Sequence, residues 1–354
     1  MNNIFPKSIK NVFVTGGGGF IGGTLIRRLL KNTQFCIYNL DKLGYASNLL
    51  SIELELAKYK DSETRYKLIK SDISDLDSTR LAIKAANPDF VFHLAAESHV
   101  DRSIHFPDSF LKSNVQGTHN LLTSITDHWE NLDNIRKESF RFLHVSTDEV
   151  FGSLGSEGFF NEQSRYDPRS PYSATKASSD HLVKAWNHTF GLPTLVTNCS
   201  NNYGPWQFPE KLIPLTINKA LSEQEIPLYG NGKNIRDWLF VEDHIDALLT
   251  VITKGDVGRS YCIGGSSERT NIDVMHAICS ILDDIKPLNK SYKSFIKYVK
   301  DRPGHDYRYA IDSSILRENL GWRPKYNFDL GLTETVLWYA ENQAWSNSLL
   351  ESNQ

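Results

Sequence analysis

Four consecutive glycines, set between a short apolar run and a helix-like stretch, constrain this chain more than any other feature. The run Asn11–Thr15 (NVFVT) is β-branched and aromatic and reads as a buried strand. Then comes Thr15-Gly16-Gly17-Gly18-Gly19-Phe20-Ile21-Gly22, where Gly16, Gly19 and Gly22 fit G-x-x-G-x-x-G. Glycine there allows a tight turn, close approach of a ligand to backbone, and tight helix–sheet packing. The helix that follows, Phe20–Lys31, turns unpaired N–H groups and its positive dipole end toward any anion held at the turn. Glycine also serves ordinary tight turns; the position between strand and helix is what gives this stretch weight.

An acid in the right place strengthens the reading. Asp41 lies nineteen residues past Gly22, at the end of the second strand. A carboxylate there accepts hydrogen bonds from adenosine ribose hydroxyls and repels a 2′-phosphate, which favours NAD over NADP. Asp72 ends the third strand, where it suits an adenine amino group or, equally, the cap of the next helix.

The first half continues the alternation. Phe35–Leu40, Tyr66–Lys70, Phe90–Leu94, Arg141–Ser146 and Thr194–Asn198 read as strands, separated by helical stretches that include Ser78–Ala86, Asp108–His128 and Ser173–Phe190. Such a succession predicts an α/β fold, a Rossmann-like doubly wound parallel sheet covered on both faces. After about Gly204 aromatics and prolines become frequent (YGPWQFPEKLIP), which predicts a smaller C-terminal α/β substrate-binding domain. The expected division is 1–204 for the nucleotide domain and 205–354 mainly for the substrate domain, with a segment near 236–253 returning to the first.

Composition narrows the function classes. A net charge of −3 gives no basic field for nucleic acid, so any phosphate must be held by a few placed groups. Cys36, Cys199, Cys262 and Cys279 are scattered without a CxxC pair, which speaks against a metal site or disulfide framework and for the reducing cytoplasm. The N-terminal stretch lacks the marks of a signal peptide, and no apolar run approaches the roughly 20 residues that span a bilayer.

The chemistry is carried by two clusters. Tyr172 and Lys176 form Y-x-x-x-K, and on a helix such residues share one face. A neighbouring ammonium is expected to lower the phenol's pKa toward that of a useful base. At the end of the fifth strand, Ser146-Thr147-Asp148-Glu149-Val150 supplies a hydroxyl, Thr147, that can hold a substrate oxygen beside the tyrosine. Hydride transfer needs no more than that. Two adjacent carboxyls, Asp148 and Glu149, repel one another and imply further acid/base work, unless they form a solvated acidic turn. Elimination of water supplies that work. Oxidising C4 of a hexose acidifies its C5–H, so one carboxylate can take that proton while a carboxylic acid protonates the departing 6-hydroxyl.

The residues carrying this pattern sit in long blocks: HLAAESHVDRSI (His93–Ile104), STDEV, SPYSATKASSDHLV (Ser170–Val183), TNCSNNYGPWQFPEKLIP (Thr197–Pro214), RDWLFVEDH (Arg236–His244) and DRPGHDYRYAID (Asp301–Asp312). Over nearly its whole length the chain resembles the dTDP-glucose 4,6-dehydratases, an NAD-dependent group of the extended short-chain dehydrogenase/reductase type. The resemblance implies Asp148 as acid to the leaving hydroxyl, Glu149 as C5 base, Tyr172 as base for the C4 hydroxyl and Lys176 as its partner on the nicotinamide ribose. It implies cofactor contacts from Phe20, Ile21, Asp41, Asp72, Ile73, Leu94, Ala95, Ala96 and Ser98, the last near the sugar as well. Asn201, Lys211, Leu212, Arg236, Asn271, Arg302 and His305 would line the nucleotide-sugar pocket. Forked guanidinium donors at Arg236 and Arg302 suit a pyrophosphate, although such arginines also serve as surface ion-pair partners. It further implies a homodimer through the helices Asp108–His128 and Ser173–Phe190, whose apolar residues could equally face the sheet. Gly18 stands where the family usually has alanine, and Phe151 where tyrosine is common; neither disturbs the spacing.

Three other readings share parts of this pattern. A UDP-sugar 4-epimerase or decarboxylase keeps the Tyr–Lys pair but lacks the Asp–Glu pair. A dehydratase for UDP-glucose would keep every catalytic residue and differ only around the base. A silent NAD-binding scaffold would have lost at least one of the four.

Overall fold

The computed structural model describes residues 5–6, 8–301 and 304–351. The strands formed among them are β1 (Asn11–Thr15), β2 (Cys36–Asp41), β3 (Tyr66–Lys70), β4 (Phe90–His93), β5 (Arg141–Thr147), β6 (Thr194–Cys199), β7 (Asn201–Tyr203), β8 (Ile226–Tyr229), β9 (Ile235–Phe240), β10 (Ser260–Ile263), β11 (Glu268–Thr270) and β12 (Ile296–Val299). Seven of them make one sheet in the order β3-β2-β1-β4-β5-β6-β10, every neighbouring pair parallel. The expected doubly wound sheet is therefore present, with β10 added at the edge beyond β6. Strand order reverses between β1 and β4, and the crevice at the carboxyl ends there is where such sheets hold ligands.

Side-chain alternation explains why the strands read as unbroken apolar runs. Val12 and Val14 join one core with Leu25, Ile26 and Leu143, while Phe13 faces the other core with Val91, Leu121 and Phe142. All three β1 residues are fully buried. A strand covered on both faces has no polar side to show. Each such side chain contributes about 2 kcal/mol by leaving water.

The second half of the chain is interleaved with the first. Helix Val241–Lys254 sends Ile245, Leu248 and Ile252 into the β1 core. Its Glu242 and Asp246 pair with Arg28 of helix Phe20–Asn32. By contrast β9, which leads into that helix, pairs with β7 and β11 in a separate three-stranded sheet. A further core gathers around helices Leu212–Leu221, Asn271–Ile285 and Phe328–Glu341, through Ile217, Ile278, Leu282 and Val336.

One helix departs from its expected form. Asp108–His128 reads as continuous, but the structure inserts a π-helical segment, Leu111–Gln116, between Pro107–Phe110 and Gly117–Glu130. Within it, Asn114 turns its amide inward, donating to Glu97 O (3.0 Å) and Thr175 Oγ1 (2.9 Å) and accepting from Glu97 N (2.8 Å). Those bonds tie the helix to the segment after β4, and they explain a widened turn that periodicity does not reveal.

Candidate active site

A cleft of about 350 Å³ opens at the carboxyl ends of β1, β2, β4, β5 and β6. Its floor is the glycine turn. Gly16 has φ +76°, and a Cβ there would lie 2.6 Å from Ala95 N. A Cβ on Gly22 would come within 2.3 Å of Gly16 O, so this residue lets the helix start directly against the turn. Gly19 is different: its nearest such neighbour is Gly16 O at 3.3 Å, which leaves its surface open to the cleft. The turn thus has the bare backbone and helix N-terminus that suit a pyrophosphate.

Asp41 is held rigidly at the cleft wall, accepting from Gly18 N (2.8 Å), Leu43 N (2.7 Å) and Ser47 Oγ (3.1 Å). Asp72 also lines the cleft, with its carboxylate taken up locally by Ser74 N (2.9 Å); the cap of helix Leu76–Ala86 is Asp75. Phe20, Ile21, Ile73, Leu94, Ala95, Ala96 and Ser98 complete the wall.

The catalytic candidates converge on the same space. Thr147 ends β5 and spans its two acidic neighbours, donating to Asp148 Oδ1 (3.3 Å) and accepting from Glu149 N (3.3 Å). Asp148 is only 2% exposed, and its Oδ2 has no hydrogen-bond partner among the described residues. Burial first, and the charge of Glu149 second, push its carboxyl well above the ordinary range. A carboxyl so raised holds its proton to higher pH than an ordinary one and can serve as a donor.

Tyr172 and Lys176 are placed by the start of helix Pro171–Phe190. Ser170 and Ser173 exchange side-chain and backbone hydrogen bonds as a capping box, with Pro171 in the first turn. This fixes Tyr172 in that turn and Lys176 one turn later. The expected lowering of the phenol by the ammonium is not what the protein alone displays. Burial, then the Glu149 charge, hold the Tyr172 hydroxyl well above its ordinary value. The Lys176 ammonium instead donates to Val145 O at 2.9 Å. Desolvation penalises phenolate more than the lysine, so engaged, relieves it.

Of the residues expected around a nucleotide sugar, Ser98, Asn201 and Lys211 line the cleft, and Lys211 Nζ donates to Ser98 O at 3.3 Å. Leu212, Arg236, Asn271 and His305 lie off its wall. Leu212 opens helix Leu212–Leu221 and packs on the further core. Arg236 is buried, donates to Ile235 O (2.8 Å) and Asp306 O (3.0 Å), and sits 4.4 Å over the Tyr309 ring, within electrostatic reach of Asp148. Asn271 begins helix Asn271–Ile285, its N–H on Asn234 O. His305 Nδ1 lies 2.7 Å from Asp301 Oδ1. Arg302 falls outside the described residues.

Sequence reasoning passed over part of the cleft. Lys42, Tyr45 and Ser47 line it directly after β2, and Glu97 after β4. The rule that ligands sit beyond strand carboxyl ends could have marked them. Glu210, which accepts from Tyr45 Oη at 3.0 Å, gave no such signal. One wall is polar but unsatisfied. Ser200 Oγ, Asn201 Oδ1, Asn202 Oδ1 and Gln207 Oε1 are buried there without a hydrogen-bond partner among the described residues. Buried polar atoms are nearly always partnered, so such a row suits a polyhydroxylated ligand.

The glycine turn, the carboxylate that ends β2 and the Tyr–Lys pair on this sheet order define the extended short-chain dehydrogenase/reductase class. Residues 13–335 match the family model described as GDP-mannose 4,6 dehydratase. The chain is 51% identical over 343 residues to a dTDP-glucose 4,6-dehydratase of Escherichia coli, covering 94% of each. Among solved structures it resembles the dTDP-glucose 4,6-dehydratase of Streptomyces venezuelae (38% identity, TM-score 0.86, 96% of this chain and 99% of that one). It likewise resembles that of Bacillus anthracis in complex with NAD (40% identity, TM-score 0.83, the same coverage). This chain belongs to the dTDP-glucose 4,6-dehydratase family.

Proposed function

We propose that the chain converts dTDP-glucose to dTDP-4-keto-6-deoxyglucose without net consumption of NAD. The observation that carries this is the convergence of Thr147, Asp148, Glu149 and Tyr172 on one cleft with the glycine turn and Asp41. Bound NAD supplies hydride acceptance from C4 and hydride return to C6. The turn at Gly16, Gly19 and Gly22 would hold its pyrophosphate, Asp41 its adenosine ribose, and Lys176 its nicotinamide ribose.

The side chains divide the remaining work. Tyr172 takes the proton of the C4 hydroxyl, which Thr147 orients. The resulting ketone acidifies C5–H, and Glu149 removes that proton. Asp148, kept protonated by its burial, gives its proton to the departing 6-hydroxyl, which leaves as water. The bare oxygens of Asn201 and Asn202 would hold sugar hydroxyls, and Lys211 the diphosphate. We divide the chain functionally at about residue 204, with helix Val241–Lys254 serving the nucleotide half.

In deuterated water the product is expected to carry deuterium at C5, since its C5 proton passes through Glu149. Product free of solvent label would rule the elimination out. Turnover of UDP-glucose in preference to dTDP-glucose would move the assignment to another base.

Two further expectations belong to this reading. Within the two helices expected to pair, Leu111 and Phe190 are 52% and 48% exposed, which supports a homodimer through them. Sedimentation should give twice the chain mass; a monomer would remove the proposal. Among the described residues no helix is long and apolar enough to cross a membrane. The four cysteines are unpaired, three of them buried, which supports a cytoplasmic location testable by cell fractionation.

A further inference from the structure

Lys176 is buried, 4% exposed, yet no carboxylate lies within ion-pairing distance of it among the described residues. A buried ammonium is costly unless compensated. The nearest compensation runs along its own helix and through the sheet. Asp180, one turn on and fully buried, lies 3.2 Å by Oδ1 from His144 Nε2, and that same nitrogen lies 3.4 Å from Lys176 Nζ. The other oxygen of Asp180 accepts from Tyr166 Oη (2.8 Å) and Asn198 Nδ2 (3.0 Å). Four groups from β5, β6, the loop before the helix and the helix itself are thus arranged around one carboxylate behind the site.

We propose that Asp180 is a positioning residue for Lys176: its buried carboxylate, across His144, is the counter-charge that keeps the ammonium ionised and directed at Val145 O. The proposal rests on the dehydratase reading, in which Lys176 serves Tyr172.

The surrounding charges agree. Burial lowers the Lys176 ammonium, and Asp180 is the foremost group opposing that fall, followed by Cys199 on β6. His144 is brought down to about 4 by burial and by Lys176, so its ring is neutral and adds no charge. His93 on β4, its ring centroid 5.0 Å from that of His144, is held well below its ordinary value and is neutral too. Cys199 is pushed up to about 12 by burial and Asp148, so it remains a thiol. Asp180 itself is lowered, with His144 and Lys176 overcoming its burial. It is therefore the anion of this group, and Lys176 the cation.

The test is the pH profile of turnover, read as the initial rate of keto-deoxy product formation by the NAD-loaded enzyme. Activity that needs the ammonium is present below the Lys176 pKa and lost as pH rises through it. In Asp180→Asn this alkaline limb is expected to move down by about one to three pH units. Tyr166→Phe removes a hydrogen bond to Asp180 but no charge; its melting temperature should fall while the limb stays put. Asp180→Ser serves if the asparagine variant does not fold, with the same displacement expected. An alkaline limb unmoved in the folded Asp180 variant overturns the proposal. Absence of keto-deoxy product from dTDP-glucose with the unmodified enzyme would instead overturn the dehydratase reading, so the two failures are distinct.

Discussion

Glu149→Gln is expected to oxidise dTDP-glucose and then stall, accumulating bound NADH while formation of the keto-deoxy product falls by about 10²–10⁴-fold. The amide keeps the size and most of the shape of the side chain but cannot take the C5 proton. Glu149 also acts at a distance. Its charge is the foremost influence after burial on both Tyr172 and Asp148, raising each. Removing it lowers the phenol, and a phenolate base works above its pKa, so the acid limb of oxidation should move to lower pH. Rapid-mixing absorbance together with product chromatography reads both effects. Dehydration at the unmodified rate would remove Glu149 from the base role.

That coupling marks the boundary of what the sequence made legible. Local features came through. The β1 run, the glycine turn and Asp41 lie within thirty-one residues, and each is fixed by backbone geometry that neighbours dictate. Tyr172 and Lys176 share a helix face because a helix repeats every ~3.6 residues, whatever else the chain does. The state of the phenol did not come through. It depends on how deeply Tyr172 is buried and on Glu149, twenty-three positions earlier, and neither follows from Y-x-x-x-K.

Long-range assembly hides the rest. Tyr45 and Glu210 meet across the cleft mouth, with the Arg102 guanidinium 3.8 Å over the Tyr45 ring. No periodicity links residues 165 apart. Arg236 shows the converse: a guanidinium suggests a phosphate, yet here carbonyls at 235 and 306 take its donors and Tyr309 covers its face. The π-helical turn at Leu111–Gln116 is likewise set by partners, Glu97 and Thr175, that lie outside the segment.

Asp148→Asn should separate function from stability in opposite directions. Without an acid for the leaving hydroxyl, dehydration is expected to drop about 10²–10⁴-fold while C4 oxidation persists. An analogue bearing fluoride at C6, whose departure needs less protonation, should recover much of that loss. Stability should move the other way. The folded state holds the Asp148 carboxyl well above its ordinary value of 3.8, chiefly by burial, so the folded chain binds a proton that the unfolded chain releases. Stability therefore falls as pH rises from that ordinary value toward the raised one. An uncharged isostere escapes the penalty, so Asp148→Asn should be more stable than the parent at neutral pH, by on the order of 1 kcal/mol. The advantage should vanish near pH 3.8, where the carboxyl is largely protonated even when unfolded. Paired thermal melts at the two pH values measure it. A variant that melts below the parent at neutral pH would mean that Asp148 is held there by favourable contacts as a carboxylate, and the acid role would have to pass to another group.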